Sequence, residues 1–174
     1  MQHDINHLSV PRLVAIFAEA VRDVFETMIH VKIRFSNPSI KQDFGTAYKT
    51  CGIIELNGDL SGSVVVSFST EAAVKSIECF CGMHFEPGTP AFTDAIGELT
   101  NLIVGSAKRH LGGATNISLP SVSVSDGCTV AVNGKQPCVV LPCSSPFGEF
   151  TIEARIQPRT SPIFKEQHHE MPLG

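Results

Sequence analysis

The chain has 174 residues, 43% hydrophobic and 17% charged, a composition that excludes a disordered protein and describes a globular one. That length fits a single domain able to bury a core without disulfides or metal. A formal net charge of −4 without any Lys/Arg cluster excludes a phosphate-backbone binder, so no nucleic-acid partner is expected.

The N-terminal "MQHDINHLSVPR" has neither a basic n-region nor a small-residue cleavage site and does not read as a secretory signal. The most apolar stretch, "LVAIFAEAV", is interrupted by Glu19 and too short to cross a bilayer. A cytoplasmic protein with no membrane partner is expected.

In chain order, Ser9 is placed to cap a helix running to Ile29, with Pro11 tolerated in its first turn. Leu13, Ile16, Phe17, Ala20, Val24, Phe25 and Met28 recur at helical spacing and predict its buried stripe. "VKIRF" alternates as a short strand, and "PSIKQDFGTAY" reads as a loop. "KTCGIIELNGDLSGSVVVSFS" holds two β-rich runs around Asn57, Gly58 and Asp59, residues that accept positive φ, and predicts a hairpin. Thr70 is the predicted cap of a short helix, "EAAVKSIECFC", closed by Gly82 in a left-handed conformation.

A longer helix follows. Thr89 and Pro90 give the cap and first-turn proline, and Gly112 with Gly113 ends it. Strand-like runs come next: "LPSVSVS", "CTVAVN", "PCVVLPC" and "GEFTIEARI". This order predicts an α+β fold, helices packed on one face of a largely antiparallel sheet, as one domain over residues 1–157 with a C-terminal tail over 158–174.

Six cysteines (51, 79, 81, 128, 138, 143) without any sign of export read as reduced, buried thiols rather than a disulfide framework. Cys79, Cys81 and His84 in "CFCGMH" invite a metal reading. Helical residues two apart face different ways, however, and no second C-x-x-C or H-x-x-x-H accompanies them. His168 and His169 read as an incidental pair in the tail. No metal site is therefore expected.

Projected at about 100° per residue, Phe92, Ile96, Leu99, Ile103 and Ala107 fall on one face of the long helix. Asp94, Glu98, Asn101, Gly105 and Lys108 fall opposite. A face chosen for solubility alone would favour Glu, Lys and Ala, because asparagine is a mediocre helix former and an interior glycine costs about 1 kcal/mol relative to alanine. The stripe is either a solvated surface or a docking face on which Glu98 and Asn101, three apart, address one target. At Gly105 the missing side chain serves either the approach of another backbone or packing of the helix.

"DAIGELTNLIVGSAKRHL" resembles the signature helix of the CheC/CheX family of chemotaxis phosphatases, whose active motif is E-x-x-N on such a helix. "GIIELNGDLSGSVVVSFSTEAAVKSI" is similar to that family's hairpin and following helix, and "ISLPSVSVSDGCTV" and "FGEFTIEARI" to its closing strands, so the resemblance spans Pro11 to Ile156. Members of the CheC type carry a second E-x-x-N on the first helix. Here Glu19 is followed three residues later by Arg22, and Glu26 by Ile29, which brings the chain nearer to the CheX type with its one motif.

The resemblance implies a protein phosphatase of two-component signalling, acting on the phosphoaspartate of a CheY-type response-regulator receiver. It implies that Asn101 positions water and that Glu98 pairs with the receiver's lysine, although a carboxylate in that place could also serve as general base. Asp94, Gly105 and Lys108 would be partner contacts or, for the two charged residues, simply solvated. No cofactor of its own is implied, since a receiver brings its own Mg²⁺. A homodimer formed through the sheets is implied as well. The other reading is a non-catalytic receiver-binding module related to flagellar switch proteins, which has no need of Asn beside Glu.

Overall fold

The computed structural model describes residues 8–43, 45–125 and 136–159. Helix α1, Val10–Val24, begins where the Ser9 hydroxyl accepts a hydrogen bond from the Arg12 amide at 3.4 Å, with Pro11 in the first turn. The helical path reaches Ile29, as expected, but its last turn, Phe25–Ile29, is a π-helix closed by His30 in the left-handed region at φ 62°. The wider turn changes which side chains point inward. Phe25 and Ile29 are buried, and Phe25 stacks on Phe150 at 4.8 Å. Met28, assigned to the stripe from α-helical periodicity, is 46% exposed.

Strand β1 is Arg34–Phe35, shorter than "VKIRF", because its partner runs out. Arg34 pairs with Ser144 of β7, Cys138–Ser145, which turns away one residue later. Strand β2, Ser39–Lys41, lies inside the expected loop and pairs with the other end of the β7 edge. The hairpin is as predicted: β3, Thr50–Gly58, and β4, Leu60–Phe68, meet at Gly58, whose φ is 127°. Helix α2, Thr70–Cys81, is capped by Ser69 rather than Thr70, since Thr70 already has helical geometry and the Ser69 hydroxyl accepts from the Ala72 amide. Gly82 ends it at φ 70°.

Helix α3, Pro90–Leu111, has the predicted Thr89 cap, with its hydroxyl accepting from the Phe92 amide at 3.4 Å. Short strands β5, Thr115–Ile117, and β6, Ser121–Val124, follow, the first without a counterpart in the sequence reading. Strand β8 is Gly148–Pro158. Pro158, assigned to the tail, is still paired with Leu60. "CTVAVN", Cys128, His168 and His169 lie outside the described residues.

The strand order is β1-β7-β8-β4-β3-β5, with β2 also on β7 and β6 also on β3, and every pairing among the described residues is antiparallel. Alternation along the strands sends Ile54, Leu56, Val64, Val66, Phe68, Leu141, Phe150 and Ile152 into one core with the helices. Asp59 fastens the hairpin tip to the chain leaving α3: its carboxylate accepts from the Ala114 amide at 2.7 Å, and its own amide donates to the Ala114 carbonyl at 3.0 Å. On the opposite sheet face the buried Glu153 carboxylate pairs with Lys41 at 2.6 Å and accepts from the Ala47 amide at 3.2 Å, so its charge has partners.

Candidate functional site

Phe92, Ile96, Leu99, Ile103 and Ala107 are all fully buried, so the apolar stripe of α3 packs on the sheet as its periodicity requires. Thr100 on the same side is also fully buried, its hydroxyl donating to the Ile96 carbonyl at 2.7 Å. It meets Gly52 of β3. A Cβ on Gly52 would stand 2.8 Å from the Thr100 Cβ, so the absent side chain is what lets α3 lie so close to the strand.

The opposite stripe is the surface. Asp94 and Glu98 are exposed, while Asn101, Gly105 and Lys108 are partly covered. None of the four side chains forms an ion pair or hydrogen bond among the described residues. Arg109, next to Lys108, instead reaches Asp23 of α1 at 3.9 Å and Ser106 at 2.9 Å. A Cβ built on Gly105 would find nothing within 4 Å among the described residues, so packing against them does not account for the glycine. Glu98 and Asn101 therefore stand as neighbours on one helical stripe, a free acceptor pair and a free amide, held by a backbone whose other side is locked in the core.

Beside Glu98 lies an open groove of about 320 Å³ between α3 and the approach to β6, lined by Thr93, Asp94, Gly97, Glu98, Pro120 and Val122. Asn101 does not line it. Thr93, Gly97, Pro120 and Val122 are lining residues that helical periodicity does not single out. Gly97 carried the one available signal, a second glycine inside α3, on its buried side.

Among the described residues no group of three or more His, Cys, Asp or Glu side chains could hold a metal ion. Cys51, Cys138 and Cys143 are buried and none is in a disulfide, but Cys79 and Cys81 are exposed. They occupy the last turn of α2, whose buried face is formed by Ala72, Ala73, Ser76 and Ile77. His84 does not approach them as a ligand partner would; its Nδ1 meets Glu78 at 2.5 Å and its Nε2 meets Glu86 at 3.2 Å. Also among the described residues, no helix is long and apolar enough to cross a membrane.

An open antiparallel sheet with one face under helices, carrying an unpartnered E-x-x-N pair on the longest of them, defines a class that comparison with known proteins identifies. Residues 50–144 match the family described as chemotaxis phosphatase CheX, and the chain belongs to that family. It is 28% identical over 117 residues to the CheY-P phosphatase CheX of Thermotoga maritima, covering 65% of this chain and 73% of that protein. The chemotaxis protein CheX of Vibrio vulnificus superposes with a TM-score of 0.74 at 26% identity, over 83% of this chain and 99% of that one. The CheX of Borrelia burgdorferi, solved in complex with CheY, BeF₃ and Mg²⁺, shares the fold with a TM-score of 0.67 at 19% identity, over 83% and 97% of the respective chains.

Proposed function

We propose that this chain accelerates hydrolysis of the phosphoaspartyl group of a CheY-type receiver, with Asn101 orienting the attacking water and Glu98 docking the receiver's lysine. The observation that carries the reading is the unpartnered Glu98 and Asn101 on one exposed stripe of α3, in a member of a phosphatase family. That the Thermotoga relative is a CheY-P phosphatase supports the choice of substrate.

The chemistry asks little of this protein. Water attacks phosphorus in line, the bond to the aspartyl oxygen breaks, and a carboxylate and inorganic phosphate result. Most of the phosphoryl charge is neutralised by groups the receiver itself holds, its lysine and Mg²⁺, so the missing contribution is position. An amide suits the task because it offers both a donor and an acceptor and does not titrate. Glu98, beside it on the helix surface, would fix the docked register through an ion pair. The bare surface at Gly105 leaves room for the receiver's backbone, and Lys108 flanks the same stripe. A homodimer acting in the cytoplasm belongs to the same reading.

The test is decay of a phosphorylated receiver at saturating enzyme, paired with a binding titration. Asn101→Ala should keep binding and lower turnover by about 10²-fold or more, while Glu98→Ala should weaken the complex, with partial recovery in Glu98→Asp. Near-normal turnover of Asn101→Ala at saturation would refute the water-orienting role and favour a docking module without catalysis.

A further inference from the structure

The groove beside Glu98 has two unlike surfaces. Its floor is apolar and tight: a Cβ on Gly97 would stand 3.3 Å from Pro120 Cγ and 3.5 Å from Val122 Cγ2. Its wall carries the carboxylates of Asp94 and Glu98, one helical turn apart, both exposed and neither paired with a cation among the described residues. Like charges at that spacing repel weakly along a helix, and cations bound at this wall relieve the repulsion. Leu119, which leads into Pro120, is 89% exposed. The opening is on the β6 side of the Glu98–Asn101 pair, because Glu98 lines it and Asn101 does not.

We propose that this groove is a specificity pocket for the docked receiver, taking a second basic side chain of that partner, distinct from the lysine paired with Glu98 in the reaction. Its aliphatic stem lies on Gly97, Pro120 and Val122, and its cationic head is shared by Asp94 and Glu98. Long basic side chains divide in this way, stem on apolar surface and head among acceptors. An apolar occupant would strip water from two carboxylates and return nothing for it. The inference rests on the reading that α3 docks a receiver. It adds that Asp94 decides which receivers bind, through charge complementarity rather than through the chemistry.

Full-length protein and its variants would be titrated with a BeF₃⁻/Mg²⁺-activated CheY-type receiver, and decay of the phosphorylated receiver followed in parallel. Asp94→Asn should weaken binding about tenfold and Asp94→Lys about a hundredfold, as a rise in KM with kcat changed by less than about twofold. Asp94→Asn should also flatten the salt dependence of the affinity. Each exposed Lys or Arg of the receiver would then be changed to Glu, and one of these changes should restore about tenfold of the affinity lost in Asp94→Lys. Wild-type affinity in both Asp94 variants, or rescue by none of the receiver changes, overturns the pocket. If Asn101→Ala still abolishes turnover in that case, the phosphatase reading stands without it. A wild-type chain that neither binds nor dephosphorylates any receiver overturns both.

Discussion

Gly105→Ala should make the isolated protein more stable and the proposed phosphatase worse. Gly105 lies inside α3, where exchanging glycine for alanine gains about 0.8–1.0 kcal/mol of helix propensity. Nothing among the described residues offsets that gain, because the new Cβ would meet none of their atoms within 4 Å. For a chain of this size about 1 kcal/mol raises Tm by about 2–4 °C. In the complex the same methyl would press into the docked receiver, and overpacking of a fitted surface costs about 1–3 kcal/mol, or about 5- to 150-fold in affinity. Thermal denaturation of the free chain and a receiver titration measure the two effects separately. A higher Tm with unchanged affinity would refute the role given to Gly105 at the interface. A lower Tm would refute the packing argument beneath it.

Two further predictions concern titrating side chains. Burial pushes the Cys138 thiol up to about 11 and the Cys143 thiol up to about 12. Alkylation of the native protein near about pH 8 should therefore mark Cys79 and Cys81 and spare Cys138, Cys143 and the buried Cys51, as read by peptide mass spectrometry; rapid marking of Cys143 would contradict the burial. Hydrogen bonds donated by the charged ring to the Glu78 carboxylate and then to Glu86 raise the His84 pKa above its usual 6.5. A raised folded-state pKa contributes stability that is fully present below 6.5 and is lost as pH rises through the higher value. An NMR titration should place the His84 midpoint above 6.5 and bring it back toward 6.5 in Glu78→Gln; an unmoved midpoint would show that the carboxylate contact is not made in solution.

What could be read without the structure were the elements punctuated at both ends. Helix α3 is bounded by Thr89 with Pro90 and by Gly112 with Gly113, and its two stripes follow from a period that burial respects residue by residue. The hairpin was legible for the same reason, since Gly58 occupies a conformation few other residues adopt. The π-helical turn was not, because its inward rotation is completed by Phe150, remote in sequence from Phe25. Strands β1 and β2 depend on how far β7 extends, which is a property of the partner rather than of their own residues. The exposure of Glu98 followed from periodicity, but the groove beside it could not, since Pro120 and Val122 reach α3 only through pairing of β6 with β3.

The contact between Gly52 and Thr100 bears on angular tolerance. Side-chain tips on a helix lie about 5–6 Å from its axis, so a roll of α3 by about 10° would swing the Asn101 amide through about 1 Å. In catalysis by orientation, a displacement of about 1 Å costs about 10²-fold in rate. Thr100 is the residue before Asn101, and its fully buried side chain sits in the gap that Gly52 leaves in β3, its Cβ 2.8 Å from where a Cβ on Gly52 would stand. The missing side chain on the strand thus seats Thr100 close against β3 and, through it, bears on the angle at which the neighbouring Asn101 amide, about 100° further round the helix, faces outward.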